Sequence, residues 1–282
     1  MADRVSVRQF LRLLAVSAKM DWAWLMRDTK YAVFGILGDL VNNIATASGV
    51  FLIASRFGGI GGLSADEVLF MMAYSTLITG IFTTFGSGNN IHISRVIGRG
   101  QLEHALTQPL PLSVQFLTSG FMPFTSGGNV LVGAVLMGIA VSRIGLAVTW
   151  PWIISLITYL AVTMVIIIAR SYLVSSLAFY APVAAEEISS TAIEGTWFLS
   201  TFPLSGMPAF ISVPLMTVLP EGLMAWFPSM CLLGKPPFEW GAFYPMIYAL
   251  LLALAARAVF RKGLRHYART GSSRYVPYGF RR

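Results

Sequence analysis

Long stretches without a charged side chain constrain this sequence more than any other feature. Five stretches of seventeen or more residues contain no charged residue, and a sixth contains only Asp39. A helix of about 20 apolar residues crosses the ~30 Å hydrocarbon layer, because it satisfies its own backbone hydrogen bonds where lipid offers no partner. The sequence therefore predicts an all-α membrane protein with six transmembrane helices. Their approximate spans are residues 31–55, 67–87, 113–140, 147–178, 196–218 and 240–260.

Composition and charge placement agree with this prediction. Hydrophobic residues make up 56% of the chain, and only 11% of the residues are charged. Of the 20 Lys and Arg residues, six lie in residues 1–30, eight lie after residue 256, and Arg95 and Arg99 follow the second span. Lys and Arg are enriched in cytoplasmic loops, so we expect a multi-pass protein of the plasma (bacterial inner) membrane with both termini cytoplasmic. The net charge of +8 reports topology and does not indicate a nucleic-acid partner.

The charge pattern divides the chain into three regions. In residues 1–30, apolar residues recur mostly at three- and four-residue intervals between Arg and Lys, which is typical of a helix lying along the inner leaflet. A helix packed on a soluble domain is the alternative, but no soluble domain is long enough to receive it. Residues 31–260 form the six-span domain. Residues 261–282 form a basic cytoplasmic tail, which we expect to lie against anionic lipid headgroups.

The first span carries an ionisable side chain and two amides. Asp39, Asn42 and Asn43 are spaced at i, i+3 and i+4, so they share one helical face. An ionisable residue at this depth usually faces the protein interior or a water-filled path. Arg170, near the cytoplasmic end of the fourth span, is the expected counter-charge at a similar depth. Such a pair either holds helices together or contacts substrate, and the sequence leaves both interpretations open.

A short helix with a polar tip is predicted between the second and third spans. Leu102, Ala105, Leu106 and Pro109 mark one face of it, and prolines at 109 and 111 end it. The polar residues around this segment are Arg99, Gln101, Glu103, His104, Thr107 and Gln108. A rigid helix that protrudes from a membrane bundle is suited to docking another protein. A solvated loop is the alternative.

Nearly the whole chain resembles ATP-binding-cassette (ABC) permeases of the second, exporter-related type, and three passages carry the resemblance. Gly100, Leu102, Glu103, Leu106, Pro109 and Leu110 resemble the segment between the second and third spans of that family. The hairpin before the last span of that family is resembled by Phe202 to Pro208 and by Leu219 to Pro228, which precede Leu232 to Gly234. The resemblance implies that the first segment is a coupling helix seated in an ATPase subunit. The residues implied to contact the ATPase are Arg99, Gln101, Glu103, His104, Thr107 and Gln108.

Residues 220–239 are predicted to form a re-entrant helical hairpin on the extracytoplasmic side. The uncharged run Gly222 to Gly234 reaches only about 20 Å as a helix, which is short of the ~30 Å hydrocarbon layer. Pro228 and the pair Pro236 and Pro237 would break a continuous helix and turn the chain back outward. The aromatic residues expected at the membrane–water interface are Trp226, Phe227 and Trp240.

Two further segments are interpreted from their composition. Ser119 to Asn129, inside the third predicted span, is rich in Gly, Pro and small polar residues, which predicts a kink or local unwinding. A packing kink is favoured there over a substrate-related role. The predicted cytoplasmic loop 181–194 carries Glu186, Glu187 and Glu194. This loop either forms a second ATPase contact or is merely solvated.

The chain lacks the residue patterns of ATP hydrolysis and of intramembrane proteolysis. A P-loop needs a Gly-rich run followed by Lys and Ser or Thr, whereas Lys235 is followed by Pro236. A rhomboid-type protease needs G-x-S-G, but Phe85 takes the first Gly position before Ser87. The single Cys231 excludes an internal disulfide and matches no metal-binding spacing. We therefore expect no catalysis and no bound cofactor in this chain, with ATP and Mg²⁺ on a partner ATPase.

The sequence favours the permease subunit of an ATP-driven exporter or flippase. The resemblance implies separate ABC ATPase subunits and a second permease, identical or paralogous, because one six-helix unit forms half of the usual pathway. An amphipathic compound, a lipid or a peptide would suit so apolar a bundle as substrate. The alternative is a secondary transporter that uses Asp39 as a proton or sodium site. The lack of an evident inverted repeat between the two halves of the chain disfavours it.

Overall fold

The computed structural model of the protein describes residues 5–86, 93–182 and 202–271. These residues form an all-α fold whose first helices are α1 (Val7–Arg27), α2 (Thr29–Phe57), α3 (Ala65–Gly86), α4 (Ile93–Gly98), α5 (Leu102–Leu106), α6 (Leu112–Ser119), α7 (Gly128–Ile144) and α8 (Trp150–Ser175). Short helical segments follow at Ser176–Phe179, Leu204–Gly206, Ala209–Ser212, Pro214–Thr217, Pro220–Leu223, Trp226–Leu232 and Gly241–Phe243. The final helix is Tyr244–Thr270. Within the described ranges the all-α prediction is confirmed.

Four helical stretches are long and apolar enough to cross a membrane. They are Thr29–Phe57, Ala65–Phe85, Trp150–Phe179 and Gly241–Thr270. A pair of shorter stretches, Ala209–Thr217 and Pro220–Leu232, is bent by 70° and makes a fifth candidate when counted as one span. Helix α7 is apolar too, but it has only 17 residues. The described part of the chain is therefore a multi-pass membrane protein with four or five candidate spans.

Helix α3 lies at the centre of the bundle and packs closely on α7. In the most apolar 18 residues of α3, 78% of the residues are buried, whereas in those of α2 only 6% are buried. A Cβ atom on Gly80 would lie 2.4 Å from the backbone nitrogen of Val130, and one on Gly133 would lie 2.5 Å from that of Leu77. Small residues at such positions let two membrane helices approach backbone to backbone. The α3–α7 pair is therefore tightly packed, whereas most of α2 lies on the outside.

The predicted third span is interrupted, as its composition indicates. Helix α6 ends at Ser119 and α7 begins at Gly128. Asp21 of α1 reaches this break and accepts hydrogen bonds from the backbone N–H of Phe124 (2.8 Å) and of Thr125 (3.2 Å). Its other oxygen accepts from the Thr125 hydroxyl at 2.7 Å. Because buried backbone donors need partners, the Asp21 carboxylate stabilises the unwound stretch.

The predicted N-terminal helix is present as α1. Ser6 and Gln9 form a capping box at its start, with hydrogen bonds of 2.8 and 3.2 Å between each side chain and the backbone N–H of the other. The Ser17 hydroxyl donates to the carbonyl of Thr118 in α6 at 2.6 Å. The helix is thus bound along its length to the segment around the break.

The two ends of the bundle differ in character. At one end, here called the α5 end, helices α4 and α5 pack against the end of α8 and the last turns of the final helix. The buried residues of this contact are Ile93, Val96, Ile97, Leu102, Phe116, Ala178, Phe179 and Tyr267. At the opposite end, Asp66 and Glu67 in the first turn of α3 pair with Arg143 (3.4 Å) and Lys235 (2.5 Å).

Residues 202–234 pack into the half of the bundle that lies opposite the α5 end. A Cβ atom on Gly61, in the loop between α2 and α3, would lie 2.6 Å from the backbone nitrogen of Gly206. The described part of the predicted fifth span, 202–218, is not one continuous helix. Short helices begin after Pro208 and at Pro214, since proline removes a backbone donor and limits helix length. Residues 196–201 of that prediction lie outside the described residues.

The prediction that Trp226 and Phe227 lie at a membrane–water interface is wrong. Both side chains are buried, with 5% and 0% of their surface exposed. The ring of Phe227 lies 5.6 Å from that of Phe238 and 5.5 Å from that of Tyr244, so the segment is built into the core. Of the three aromatic residues predicted there, only Trp240 is exposed.

Candidate functional site

Helix α5 forms a single turn at the α5 end of the bundle. Gly100 precedes it with a φ of 71°, a left-handed conformation that glycine adopts without strain, and this turns the chain away from α4. Leu102 is fully buried in the apolar cluster of the α5 end. The turn is therefore anchored at its first residue and carries its other side chains outward.

The polar residues predicted to contact an ATPase are all exposed in the structure. They are Arg99, Gln101, Glu103, His104, Thr107 and Gln108. The predicted apolar face is narrower than expected, because Leu102 is buried and Ala105 half-buried while Leu106 and Pro109 are exposed. The exposed tip therefore presents an apolar side chain, Leu106, among polar ones.

Two side chains outside the segment hold α5 in place. Gln115 of α6 donates hydrogen bonds from Nε2 to the carbonyls of Ala105 (2.9 Å) and Leu110 (2.7 Å). The Ala105 carbonyl lies in the short helix, and the Leu110 carbonyl lies in the segment that follows it. The Tyr267 hydroxyl of the final helix donates to the Glu103 carboxylate at 3.3 Å. Sequence reasoning identified neither Gln115 nor Tyr267, since no periodic pattern marks either contact.

A cleft of about 470 Å³ lies beside α5, between α1 and α6. His104 and Gln108 line it from the α5 side, and Ser17 and Gln115 line it from the other. Three of the predicted contact residues, Gln101, His104 and Gln108, therefore line a recess that can receive a partner side chain.

Arg170 of α8 pairs with Glu221 and not with Asp39, which corrects the expected ion pair. An Arg170 guanidinium nitrogen lies 2.7 Å from Glu221 Oε1, and the two side chains are 10% and 2% exposed. Helical side chains lean toward the N-terminus of their helix, so Arg170 is directed away from the α5 end and toward the 202–234 segment. The sequence places Glu221 at the start of the predicted re-entrant hairpin and does not predict its burial against Arg170.

The surroundings of this pair contain further buried polar atoms. In the described part of the chain, Glu221 Oε2, Trp226 Nε1 and Ser229 Oγ have no hydrogen-bond partner. All three belong to one nine-residue stretch of the 202–234 segment. Buried polar groups without partners are rare in folded proteins, so this stretch is the least satisfied part of the described core.

The three polar residues of the first span are only partly brought together. Asp39 and Asn42 are exposed on α2, whereas Asn43 is half-buried. Asn43 Nδ2 donates to the backbone carbonyl of Asp39 (2.7 Å) and to the side-chain oxygen of Asn129 in α7 (3.0 Å). The Asp39 carboxylate forms no ion pair within the described residues. Asn43 therefore joins α2 to α7, and Asp39 faces outward.

Other predicted residues fall outside the described ranges. Glu186, Glu187 and Glu194 belong to residues 183–201, and the tail beyond residue 271 is likewise outside. Within residues 5–86, 93–182 and 202–271, no three His, Cys, Asp or Glu side chains converge as metal ligands.

Comparison with known proteins supports the permease resemblance. Searches of the curated proteins and of the solved structures found no significant match. A family model described as "ABC-2 family transporter protein" matches residues 40–271, which is well over half of the chain. The match includes α5, the Arg170–Glu221 pair and the final helix. The protein therefore belongs to the ABC-2 family of transporter proteins.

Proposed function

We propose that this chain is the six-span permease subunit of an ATP-driven exporter or flippase in the plasma (bacterial inner) membrane. It moves an amphipathic, lipid or peptide substrate, and ABC ATPase subunits that bind ATP and Mg²⁺ supply the energy. Six crossings result if α7 is the third span and the fifth span ends at Thr217. The 70° bend before Pro220 then begins a re-entrant hairpin.

The observation that carries this proposal is the anchored, exposed helix α5. Its tip combines an exposed Leu106 with polar side chains, and protein interfaces commonly combine an apolar anchor with a polar rim. Its base is fixed by buried Leu102 and by hydrogen bonds from Gln115 and Tyr267. A partner that binds the tip of α5 therefore binds a rigid part of the bundle.

The same contacts give a route for transmitting motion. Gln115 belongs to α6, which leads through the break to α7 and hence to the central helix α3. Tyr267 belongs to the final helix, which packs along α8. Displacement of α5 by a nucleotide-dependent change in the ATPase would thus move two separate spans. This arrangement supports a role for α5 in coupling, with Arg99, Gln101, Glu103, His104, Thr107 and Gln108 as contact residues.

The test uses the permease with its ATPase in lipid vesicles. Glu103→Lys reverses a charge at the tip and is expected to reduce ATP-dependent transport at least about tenfold, the effect of losing one charged contact at an interface. The matched control is Glu239→Lys, the same change at an exposed site of the opposite end, which should leave transport unchanged. Full coupling in Glu103→Lys, or equal losses in both variants, would contradict the assignment.

A second permease, identical or paralogous, is part of the proposal. Helix α2 is almost entirely unburied and exposes an apolar stripe that includes Leu37, Val41 and Ile44. Asp39 lies on the same helix, and a charged residue facing hydrocarbon is unfavourable by about 2.5 to 3.5 kcal/mol on insertion scales. A partner subunit packed on α2 would shield Asp39 from lipid. Copurification of two differently tagged copies distinguishes an identical partner from a paralogous one.

The alternative of ion-gradient-driven transport rests on the exposed Asp39 carboxylate, which forms no ion pair with any described residue. The vesicle assay separates the two mechanisms. Transport that needs ATP and tolerates Asp39→Asn supports the permease function. Transport that continues without ATP, collapses with the proton or sodium gradient and is lost in Asp39→Asn supports the alternative.

A further inference from the structure

A surface groove of about 600 Å³ lies between α8 and the final helix, beside the start of α6. Its walls are mostly aliphatic and aromatic: Val165, Ile168 and Ala169 from α8, and Ala253, Ala256 and Phe260 from the final helix. The volume falls within the roughly 300–1,000 Å³ range of small-molecule sites. The groove is therefore large enough to hold part of an amphipathic ligand, and its walls offer that ligand apolar contacts.

Two arginines stand at one end of this groove. Arg257 and Arg261 are one helical turn apart on the final helix and both line the groove. In residues 5–86, 93–182 and 202–271, neither guanidinium lies within ion-pair distance of a carboxylate. Two neighbouring cations without an acidic partner favour an anion as ligand.

The position of the arginines along the helix defines their depth. Arg257 is the first charged residue after the uncharged run Trp240 to Ala256. Charged side chains at the end of an apolar span reach the headgroup region while their neighbours remain in hydrocarbon. The groove thus begins at headgroup level at the α5 end and extends along Ala256 and Ala253 toward the membrane interior.

We propose that this groove binds one acidic phospholipid from the leaflet at the α5 end. The phosphate lies between Arg257 and Arg261, and an acyl chain lies along Val165, Ile168 and Ala256. Arginine pairs suit phosphate because guanidinium groups donate two parallel hydrogen bonds to its oxygens. Basic pockets between transmembrane helices are a known mode of anionic-lipid recognition.

A second protein subunit fits the groove less well than a lipid does. Covering it with protein would bury both guanidinium groups, and a buried charge without a partner is strongly unfavourable. A phospholipid supplies the missing negative charge and the apolar chain in one molecule. The inference concerns lipid binding alone and does not depend on the substrate or direction of transport.

The test measures lipid retention by the purified full-length chain. Protein in detergent is mixed with phosphatidylglycerol and phosphatidylcholine, and bound lipid is counted by native mass spectrometry. We expect preferential retention of one phosphatidylglycerol. Arg257→Gln with Arg261→Gln should lower its apparent affinity by about tenfold or more, given the loss of two headgroup-level cations. Lys262→Gln with Arg269→Gln, an equal charge change on the same helix outside the groove, should lower it less than about twofold.

A second variant tests the apolar part of the site. Val165 is 43% exposed, so Val165→Trp can fill the groove without disturbing the core or either arginine. We expect this variant to lose phosphatidylglycerol while glycerol 3-phosphate, which lacks acyl chains, fails to bind even the unaltered protein. Equal retention of both lipids, equal losses in the two charge variants, or tight binding of glycerol 3-phosphate would overturn the proposal. So would a Val165→Trp variant that disrupts subunit association while lipid retention is unchanged.

Discussion

Two carboxylates show how single residues stabilise irregular parts of this bundle. Asp21 accepts hydrogen bonds from the backbone of the α6–α7 break, where helical partners are missing. Glu221 neutralises Arg170 inside the core, in a segment that contains other buried polar atoms without partners. Asp21 thus replaces helical hydrogen-bond partners and Glu221 compensates a buried positive charge, so loss of either carboxylate is unfavourable.

The Arg170–Glu221 pair leads to a prediction about stability. Arg170→Gln or Glu221→Gln alone should destabilise the purified protein by about 3–5 kcal/mol, because each removes one charge of a buried ion pair and keeps the other in the core. The double variant should be less destabilised than the two single effects added together. Thermal unfolding in detergent measures all three.

A second double-mutant cycle, which serves as the control, combines Arg170→Gln with Asp39→Asn. Because Asp39 is exposed and Arg170 is bound to Glu221, these two effects should simply add. The opposite result, strong coupling between Arg170→Gln and Asp39→Asn with additive effects of Arg170→Gln and Glu221→Gln, would support the Asp39–Arg170 ion pair expected from the sequence.

At the scale of whole elements, the short helix α5 depends on its neighbours for its shape. A helix of five residues is too short to be stable alone, because helix nucleation is unfavourable. Its burial through Leu102 and the two hydrogen bonds from Gln115 compensate for this. The element is thus defined by α4, α6 and the final helix as much as by its own residues.

Gln115 provides the test of this dependence. Gln115→Leu removes both hydrogen bonds to the end of the segment and should raise backbone amide exchange in residues 102–110. The expected loss is about 1–3 kcal/mol of local stability, from two bonds of about 0.5–1.5 kcal/mol each. Thr107→Ala is the control, since that hydroxyl donates a local hydrogen bond to the carbonyl of His104. Unchanged exchange in Gln115→Leu would show that Leu102 and Tyr267 fix α5 without Gln115.

Much of the element order could be predicted from the sequence, because span length is a local property. Uncharged runs located α2, α3, α8 and the final helix, and the Gly- and Pro-rich stretch located the break before Gly128. The burial of Trp226 and the partner of Arg170 could not be predicted. Both depend on how deeply the 202–234 segment folds back into the bundle, and depth is set by tertiary packing that leaves no periodic pattern.

For the whole molecule, the distribution of charge indicates which end faces the cytoplasm. The α5 end carries Arg99 and the basic residues of the final helix, whereas Arg143 and Lys235 at the opposite end are neutralised by acidic partners. This difference favours a cytoplasmic α5 end, where the ATPase would dock.

Cysteine labelling of intact cells tests the orientation. In a Cys231→Ala background, Glu239→Cys should react with a membrane-impermeant thiol reagent and Arg265→Cys should not. Both positions are exposed and lie at opposite ends, so the difference reports sidedness and not burial. Labelling of Arg265→Cys from outside would invert the topology and place α5 away from any cytoplasmic ATPase.

The contact between Asp21 and the α6–α7 break has a consequence for biosynthesis. Asp21 and Thr125 are separated by 104 positions in the chain, so α1, α2 and α3 leave the ribosome well before the donors that Asp21 binds. Until then its carboxylate must stay hydrated, because burying it without partners is unfavourable. Helix α1, although synthesised before α6 and α7, therefore docks on the bundle only after α6 and the start of α7 have been inserted.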